Sequence, residues 1–337
     1  MPQDFLLHAP IGLTPVLLFL GALVWFDSYK LIALKTLLGA VAIGGMAAVA
    51  SYFANDAAAA LLKIDFIPFI RFVSPVIEEL LKAVILVYLI RTQRIGLLID
   101  GAIIGFAVGT GFAVVENLYF LFNSADLSVQ VWVIRGFGTA IMHGGATAIF
   151  AIVSVELADE KPEALLAAFL PGLAAAVVLH SLFNHFLALP MASTMGVIVF
   201  IPLAIYAAFT RSERALKAWL GDDFDANLAL MEALRADDFR DTRIGRYLRS
   251  LRERFDGLVV GDMLCYLQLH VELALRAKGL LIAREAGFDL EVDEETLGKL
   301  RELEHLERSI GKTGKLAMQP ILQTKRKDLW QFYVLKK

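Results

Sequence analysis

Two adjacent glutamates, Glu78 and Glu79, stand in an apolar run that continues to Ile90. Lys82 lies four residues beyond Glu78, so on a helix its ammonium is placed to pair with that acid and keep it ionised. A charged side chain at the centre of a membrane helix costs about 2.5–3.5 kcal/mol on insertion scales, which makes such acids functional candidates. A desolvated glutamate can serve as a general base that activates water. The pair therefore predicts hydrolytic chemistry, with Glu79 favoured as the base.

Later apolar runs carry further acids, imidazoles and amides of the kinds that a hydrolase uses. These residues are Glu116, His143, His180 and Asn184. Histidines and an asparagine can stabilise the oxyanion of a tetrahedral intermediate in peptide hydrolysis. Alternatively, Glu79, His143 and His180 can hold a Zn²⁺ ion that activates water. The sequence contains no His-Glu-x-x-His motif, so a metal mechanism and a mechanism without a cofactor both stay open.

The elements that must position these residues are membrane helices. The chain of 337 residues is 58% hydrophobic, with a mean hydropathy of +0.63, which is too apolar for an ordinary soluble domain. Charge is concentrated towards the C-terminus, since residues 1–210 hold 9 Lys or Arg and 13 Asp or Glu, whereas residues 211–337 hold 23 and 22. This division predicts a membrane-embedded domain over 1–210 and a helical soluble domain over 211–337.

Apolar runs of about 20 residues can cross a membrane as helices, and their number predicts the fold class. We expect an all-α, polytopic membrane helix bundle of about seven spans, followed by the helical soluble domain. The predicted spans are 11–26, 34–54, 73–90, 98–123, 131–155, 164–188 and 192–210.

Positive charge in the short loops predicts the orientation of the spans, because cytoplasmic loops are enriched in Lys and Arg. Most such residues fall on the side that holds the C-terminal domain: Lys30, Lys35, Arg91, Arg94, Lys161, Arg211, Arg214 and Lys217. We therefore place that domain in the cytoplasm and the protein in the bacterial cytoplasmic membrane. With this topology, the acids and imidazoles of four helices reach a similar depth below the outer face. Arg135, on the same outer side, is interpreted as an interfacial anchor.

The motifs around these residues resemble those of the PrsW-type intramembrane proteases. Glu78-Glu79-Leu80-Leu81-Lys82 is similar to the family's E-E-x-x-K motif, and Phe112-Ala113-Val114-Val115-Glu116-Asn117 to its F-x-x-x-E-N motif. His143 and the segment His180-Ser181-Leu182-Phe183-Asn184 match its two later histidine motifs. More distantly, the pattern is similar to that of CAAX-type membrane proteases.

The resemblance covers about residues 1–210. It implies an intramembrane endopeptidase that cuts membrane-anchored protein substrates, such as anti-sigma factors, near the extracytoplasmic face. The implied partners are such a substrate and the lipid bilayer. The net charge of −3 gives no reason to expect nucleic acid binding.

Two other function classes fit parts of the sequence. Buried acids and histidines also build ion relays, so an ion-coupled or proton-coupled transporter is the main alternative. A relay should connect both membrane faces, whereas the polar residues here gather near one face. A non-catalytic scaffold acting through the C-terminal domain is the second alternative, and it predicts that Glu79→Gln has no effect.

Overall fold

The computed structural model describes residues 3–27, 32–124, 127–160, 165–185, 189–288, 290–322, 331–332 and 334–335. Within these ranges the chain is helical and contains no strand, which confirms the predicted all-α class. The helices are α1 (Gln3–Trp25), α2 (Leu34–Leu62), α3 (Phe66–Pro68), α4 (Ser74–Arg91), α5 (Leu98–Asn123), α6 (Val129–Val133), α7 (Ala140–Glu160), α8 (Leu165–His185), α9 (Pro190–Arg235), α10 (Arg243–Leu251), α11 (Gly257–Glu285) and α12 (Glu294–Leu322).

Two short stretches are wound as π-helix, with hydrogen bonds from each residue to the fifth before it. The first π segment (Phe69–Val73) leads directly into α4, and the second π segment (Ile134–Thr139) joins α6 to α7. Such widened turns are rare and occur frequently at functional sites. Periodicity in the sequence did not predict either of them.

The chain divides into two compact units, Met1–Glu213 and Arg214–Lys337. The division falls close to the predicted boundary after residue 210. The assignment of the second unit to the cytoplasm stays a prediction. Lys30 and Lys161, on which the predicted orientation partly depends, lie outside the described residues.

Seven of the described helices are long and apolar enough to cross a membrane, which agrees with the predicted number. They are α1, α2, α5, the run from α6 to α7, α8, α9 and α11. The set differs from the predicted one at two places. Helix α4 is not in this set of candidate spans, because its 18 residues include Glu78, Glu79, Lys82 and Arg91. Helix α11, which was not predicted as a span, is in the set because its sequence is apolar.

Helix α5 is the centre of the first unit and packs against α1, α2 and α7. Most of its residues between Ile99 and Ala113 are buried, and its glycines bring neighbouring backbones into direct contact. A Cβ at Gly109 would overlap the carbonyl of His143 and lie 2.6 Å from the Cα of Gly144. On the other face, a Cβ at Gly111 would overlap the carbonyl of Val41 in α2. Small residues therefore set the close approach of α5 to its neighbours.

The second unit has an apolar core of its own. Helix α11 turns many of its apolar side chains inwards, and they pack against α10 and α12. This core explains why α11 reads as hydrophobic in the sequence. Fully buried apolar residues of α11 are Met263, Leu267, Val271, Leu273, Ala277 and Leu281.

Candidate active site

Helix α4 delivers the two adjacent glutamates and Lys82 to the interior of the first unit. The Nζ atom of Lys82 donates to Oε1 of Glu79 over 2.6 Å, and the two side chains are 0% and 1% exposed. The ammonium also lies 4.2 Å from the ring centroid of Phe112 in α5. Lys82 thus pairs with the acid three residues away, and the expectation that it would pair with Glu78 is wrong.

Glu79 also holds His180, which α8 brings to the same place. Oε1 of Glu79 lies 2.9 Å from Nδ1 of His180, and Nε2 of His180 lies 3.9 Å from Oε2 of Glu78. An ionised carboxylate can only accept hydrogen bonds, so the contact with Glu79 places the ring proton on Nδ1. Nε2 is the ring nitrogen that faces Glu78.

His143, from α7, is bound on both sides of its ring. Its Nδ1 lies 2.9 Å from Nζ of Lys82, and its Nε2 lies 3.1 Å from Oε2 of Glu116 in α5. An ammonium only donates and a carboxylate only accepts, so these partners place the ring proton on Nε2. The imidazoles of His143 and His180 meet edge to face, with 4.8 Å between their centroids.

Glu78 is held by hydroxyl and amide donors rather than by a cation. Oγ of Ser74 donates to Oε1 of Glu78 over 2.7 Å, and Nδ2 of Asn55 in α2 donates to the same oxygen over 3.3 Å. This arrangement leaves Oε2 as the oxygen that faces His180. Asn55 was not singled out in the sequence, since an isolated asparagine near a helix end carries no pattern.

Asn184 lies at the edge of this cluster. Its Nδ2 atom donates to the carbonyl of Ile70 over 2.9 Å, and Oγ of Ser181, one turn earlier in α8, donates to the carbonyl of Arg71 over 2.5 Å. Both acceptors belong to the first π segment. The two side chains therefore fasten α8 to the turn that precedes α4, and the amide nitrogen of Asn184 already has a partner other than a reacting group.

A second set of polar side chains, which the sequence pattern does not predict, surrounds Glu116 and consists of Arg135 and Asn117. Arg135, in the second π segment, places a terminal guanidinium nitrogen 3.4 Å from Oε1 of Glu116. Its Nε donates to Oδ1 of Asn117 over 2.9 Å, and its guanidinium lies 3.6 Å from the ring centroid of Phe120. The side chain of Arg135 is only 12% exposed and has partners within the protein, whereas its depth in the membrane stays a prediction.

Five of the six predicted site residues thus meet in one cluster drawn from four helices. The cluster consists of Glu78, Glu79, Glu116, His143 and His180. Among the described residues, one group has donor atoms close enough to hold a metal ion: Glu78, His143 and His180, whose ligand atoms lie within 4.8 Å of one another. This set contains Glu78 where the sequence analysis expected Glu79.

Sequence comparison agrees with this geometry. A family model described as the PrsW family intramembrane metalloprotease matches residues 30–207 of the chain. The chain belongs to the PrsW family. The matched range contains every residue of the cluster and leaves α1 outside it. No match was found among curated proteins or among solved structures. Membership of the PrsW family, together with the apolar helices, makes the chain an integral membrane peptidase.

Proposed function

We propose that the chain cuts membrane-anchored proteins near the extracytoplasmic face, with anti-sigma factors as one possible substrate class. The observation that carries this proposal is the pairing of each site histidine with a carboxylate: His180 with Glu79 and His143 with Glu116. Carboxylates in this position orient imidazoles that bind a metal or a reacting group. Family membership favours this peptidase over the alternative of an ion-coupled transporter.

The donor set of the cluster fits the zinc ion that the family description implies. Two histidines and one glutamate form a known set of catalytic zinc ligands, and Glu78, His143 and His180 supply those donors. Zn²⁺ held there would supply a Lewis acid that polarises the scissile carbonyl. For His143 to bind through Nδ1, Lys82 has to release that nitrogen. Its ammonium keeps a partner when it does so, because it also donates to Glu79.

Glu79 is better placed to orient His180 than to act as the base. Its Oε1 contacts both Lys82 and His180, and its side chain is 1% exposed. A base that takes a proton from water needs space beside it for that water. The side chain of Glu116 is less enclosed by protein, with 29% of its surface uncovered compared with 14% for Glu78. We therefore assign the proton transfer to Glu116 and the binding of the reacting group to Glu78, His143 and His180.

Lys82 and Asn184 complete this proposal as positioning residues. Lys82 joins Glu79 to His143 while Nδ1 of His143 holds no other group, and so sets the distance between α4 and α7 at the depth of the site. Asn184 holds α8 against the first π segment, which fixes the height of His180 on its helix. Neither residue needs to contact the substrate in this arrangement.

The test is cleavage by the purified full chain in lipid nanodiscs. The substrates are single-span reporter proteins that carry different juxtamembrane sequences on the extracytoplasmic side. Wild type should cut at least one reporter, and Glu78→Gln and His180→Ala should reduce the rate at least 100-fold. Glu156→Gln is the matched control, because Glu156 pairs with Arg211 outside the cluster.

Treatment with 1,10-phenanthroline separates the two mechanisms that the sequence left open. Loss of cleavage on chelation, with recovery after addition of Zn²⁺, supports the metal mechanism. Cleavage that survives chelation and still requires Glu78 supports hydrolysis without a metal. Full cleavage by both Glu78→Gln and His180→Ala contradicts the proposed site altogether.

A further inference from the structure

We propose that Arg135 is a positioning residue of the site and that α1, which lies outside the family match, holds it in place. The proposal rests on the proposed function, because it concerns how Glu116 is kept against His143. Its evidence is a continuous set of contacts that runs from α1 through α5 and the second π segment to the imidazole.

The inner part of this set fixes the carboxylate of Glu116 from two sides. His143 contacts Oε2 at 3.1 Å, and a terminal guanidinium nitrogen of Arg135 forms an ion pair with Oε1 over 3.4 Å, without hydrogen-bond geometry. The charge of Arg135 beside Oε1 favours the orientation in which Oε2 accepts the hydrogen bond from Nε2 of His143. An arginine suits this task better than a lysine, because its planar guanidinium presents several donors in a fixed geometry.

The outer part fixes Arg135 itself. Its Nε donates to Oδ1 of Asn117, and Nδ2 of Asn117 donates over 2.7 Å to the carbonyl of Gly12 in α1. The guanidinium also rests on the ring of Phe120, an arrangement that favours a cation over an aromatic face. Arg135 therefore has a polar partner and an aromatic partner in addition to Glu116.

Helix α1 contacts the second π segment so closely that no side chain fits between them. A Cβ at Gly136, next to Arg135, would overlap the carbonyl oxygen of Ile11 and lie 3.2 Å from the Cα of Gly12. One turn earlier in α1, the imidazole of His8 stacks on the indole of Trp132 at 5.6 Å. These contacts fix the backbone from which Arg135 extends, so a helix without any member of the cluster contributes to the geometry of the site.

The experiment measures kcat and KM for the reporter that wild type cuts, using Arg135→Ala, Arg135→Lys and Gly136→Ala. Mutating a residue that orients the ligands of a metal site from outside typically costs about 10–100-fold, and Arg135 acts one contact further out, through Glu116. We expect such a fall in kcat for Arg135→Ala with KM nearly unchanged, and partial recovery of kcat on addition of methylguanidinium. Arg135→Lys should retain an intermediate kcat. Gly136→Ala should lose kcat without recovery, since its side chain separates the two backbones.

Gly21→Ala is the matched control in α1, because nothing lies within 4 Å of a Cβ at that position. It should leave kcat unchanged. A value of kcat for Arg135→Ala within about threefold of wild type would overturn the proposal. A loss that methylguanidinium does not restore would also overturn it, because it would show that Arg135 serves the fold and not the position of Glu116.

A second measurement keeps the inference separate from the proposed function. Imidazole ¹⁵N spectra of histidine-labelled protein report which ring nitrogen of His143 carries the proton, with His143→Gln identifying the signals. Wild type should show the proton on Nε2, and Arg135→Ala should change these shifts whether or not any reporter is cut. Absence of cleavage by wild type would contradict the proposed function, whereas unchanged shifts in Arg135→Ala would contradict the positioning role.

Discussion

Each unit contains a lysine that binds two partners, and the two lysines differ mainly in their exposure to solvent. In the first unit, Lys82 contacts Glu79 and His143 and is fully buried. In the second unit, Lys299 contacts Glu272 and Glu295 over 2.5 and 2.6 Å, and its side chain is 25% exposed. One partner of Lys82 is an imidazole where Lys299 has a second carboxylate, and the larger difference between the two sites is how far the protein encloses each lysine.

This difference shows where burial of charged groups lowers the stability of the fold. Desolvation of charges is expensive, and a buried pair often stabilises a protein less than apolar residues of the same size would. Exposed ion pairs contribute little in either direction. The network around Lys299 therefore needs no function to explain it. The network around Lys82 is retained at a cost, which is expected where charged groups carry out chemistry.

The largest expected effect comes from Gly109→Ala, which breaks the buried network through the backbone. The added Cβ would collide with the carbonyl of His143, so α5 and α7 would have to separate and the contacts of His143 with Lys82 and Glu116 would be lost. We expect reporter cleavage to disappear and the midpoint of thermal unfolding to fall.

Gly279→Ala in α11 is the control for this prediction in the second unit, since nothing lies within 4 Å of a Cβ there. Alanine is also the better helix former, so Gly279→Ala should leave activity unchanged and not lower stability. Full activity in Gly109→Ala would show that the close approach of α5 and α7 is not needed by the site.

Lys82→Met and Lys299→Met compare the same substitution in the two surroundings. Removing one partner of a buried ion pair typically costs about 3–5 kcal/mol, because the other charge stays buried without compensation. We expect a loss of this size for Lys82→Met and almost none for Lys299→Met. Denaturant unfolding of the full chain, followed separately by hydrogen exchange in α4 and α12, measures both. Equal losses at the two positions would contradict the comparison.

Thr242→Ala tests whether backbone capping matters more than charge in the second unit. Oγ1 of Thr242 accepts from the backbone N–H of Gly245 and so caps α10, and loss of such a cap costs about 1 kcal/mol. Hydrogen exchange in α10 should therefore increase more in Thr242→Ala than exchange in α12 does in Lys299→Met. Ser250→Ala is the control, because Ser250 is exposed and only donates to the carbonyl of Tyr247.

The smallest expected effect concerns acid. Hydrogen bonds from Thr296 lower the pKa of Asp293 below its ordinary value of 3.8. The folded chain therefore binds this proton less tightly than the unfolded chain, so the stabilisation is complete above pH 3.8 and is lost as the pH falls through the lowered pKa. Asp293→Asn keeps an acceptor for the N–H of Thr296 but cannot titrate. It should lose less stability than wild type below pH 3.8, as judged by hydrogen exchange at the start of α12.

Much of the fold could be predicted because long apolar runs have few alternatives to membrane helices. The predicted span 98–123 coincides with α5, and 34–54 begins at the same residue as α2. The run 73–90 forms the helix α4 within one residue at each end, but α4 is not among the helices apolar enough to cross a membrane. The common depth of the acids and imidazoles followed from helix rise and loop charge. That depth predicted which helices meet, and the contacts of Glu79, Glu116, His143 and His180 agree with it.

The partners within the cluster could not be predicted in the same way. A lysine one turn beyond two adjacent acids can reach either of them, and the position of α8 makes Glu79 the one that is bound. The contacts of Arg135 could not be predicted because its partner Asn117 is distant in the sequence and is itself held by a backbone carbonyl of α1. Contacts of this kind leave no periodic pattern in a single chain.

Because of the second π segment, the geometry of the site depends on the exact number of residues between α6 and α7. A π turn contains about one residue more than an α turn, and each residue advances an α-helix by about 100°. Deleting one residue between α6 and α7 would let the run continue as ordinary α-helix. It would also turn Trp132, which contacts α1, relative to His143 around the helix axis. The extra residue of the π turn thus sets the angle between the face of α6 that contacts α1 and the face of α7 that carries His143. Deleting a single codon there would change this angle without removing any group that takes part in the chemistry.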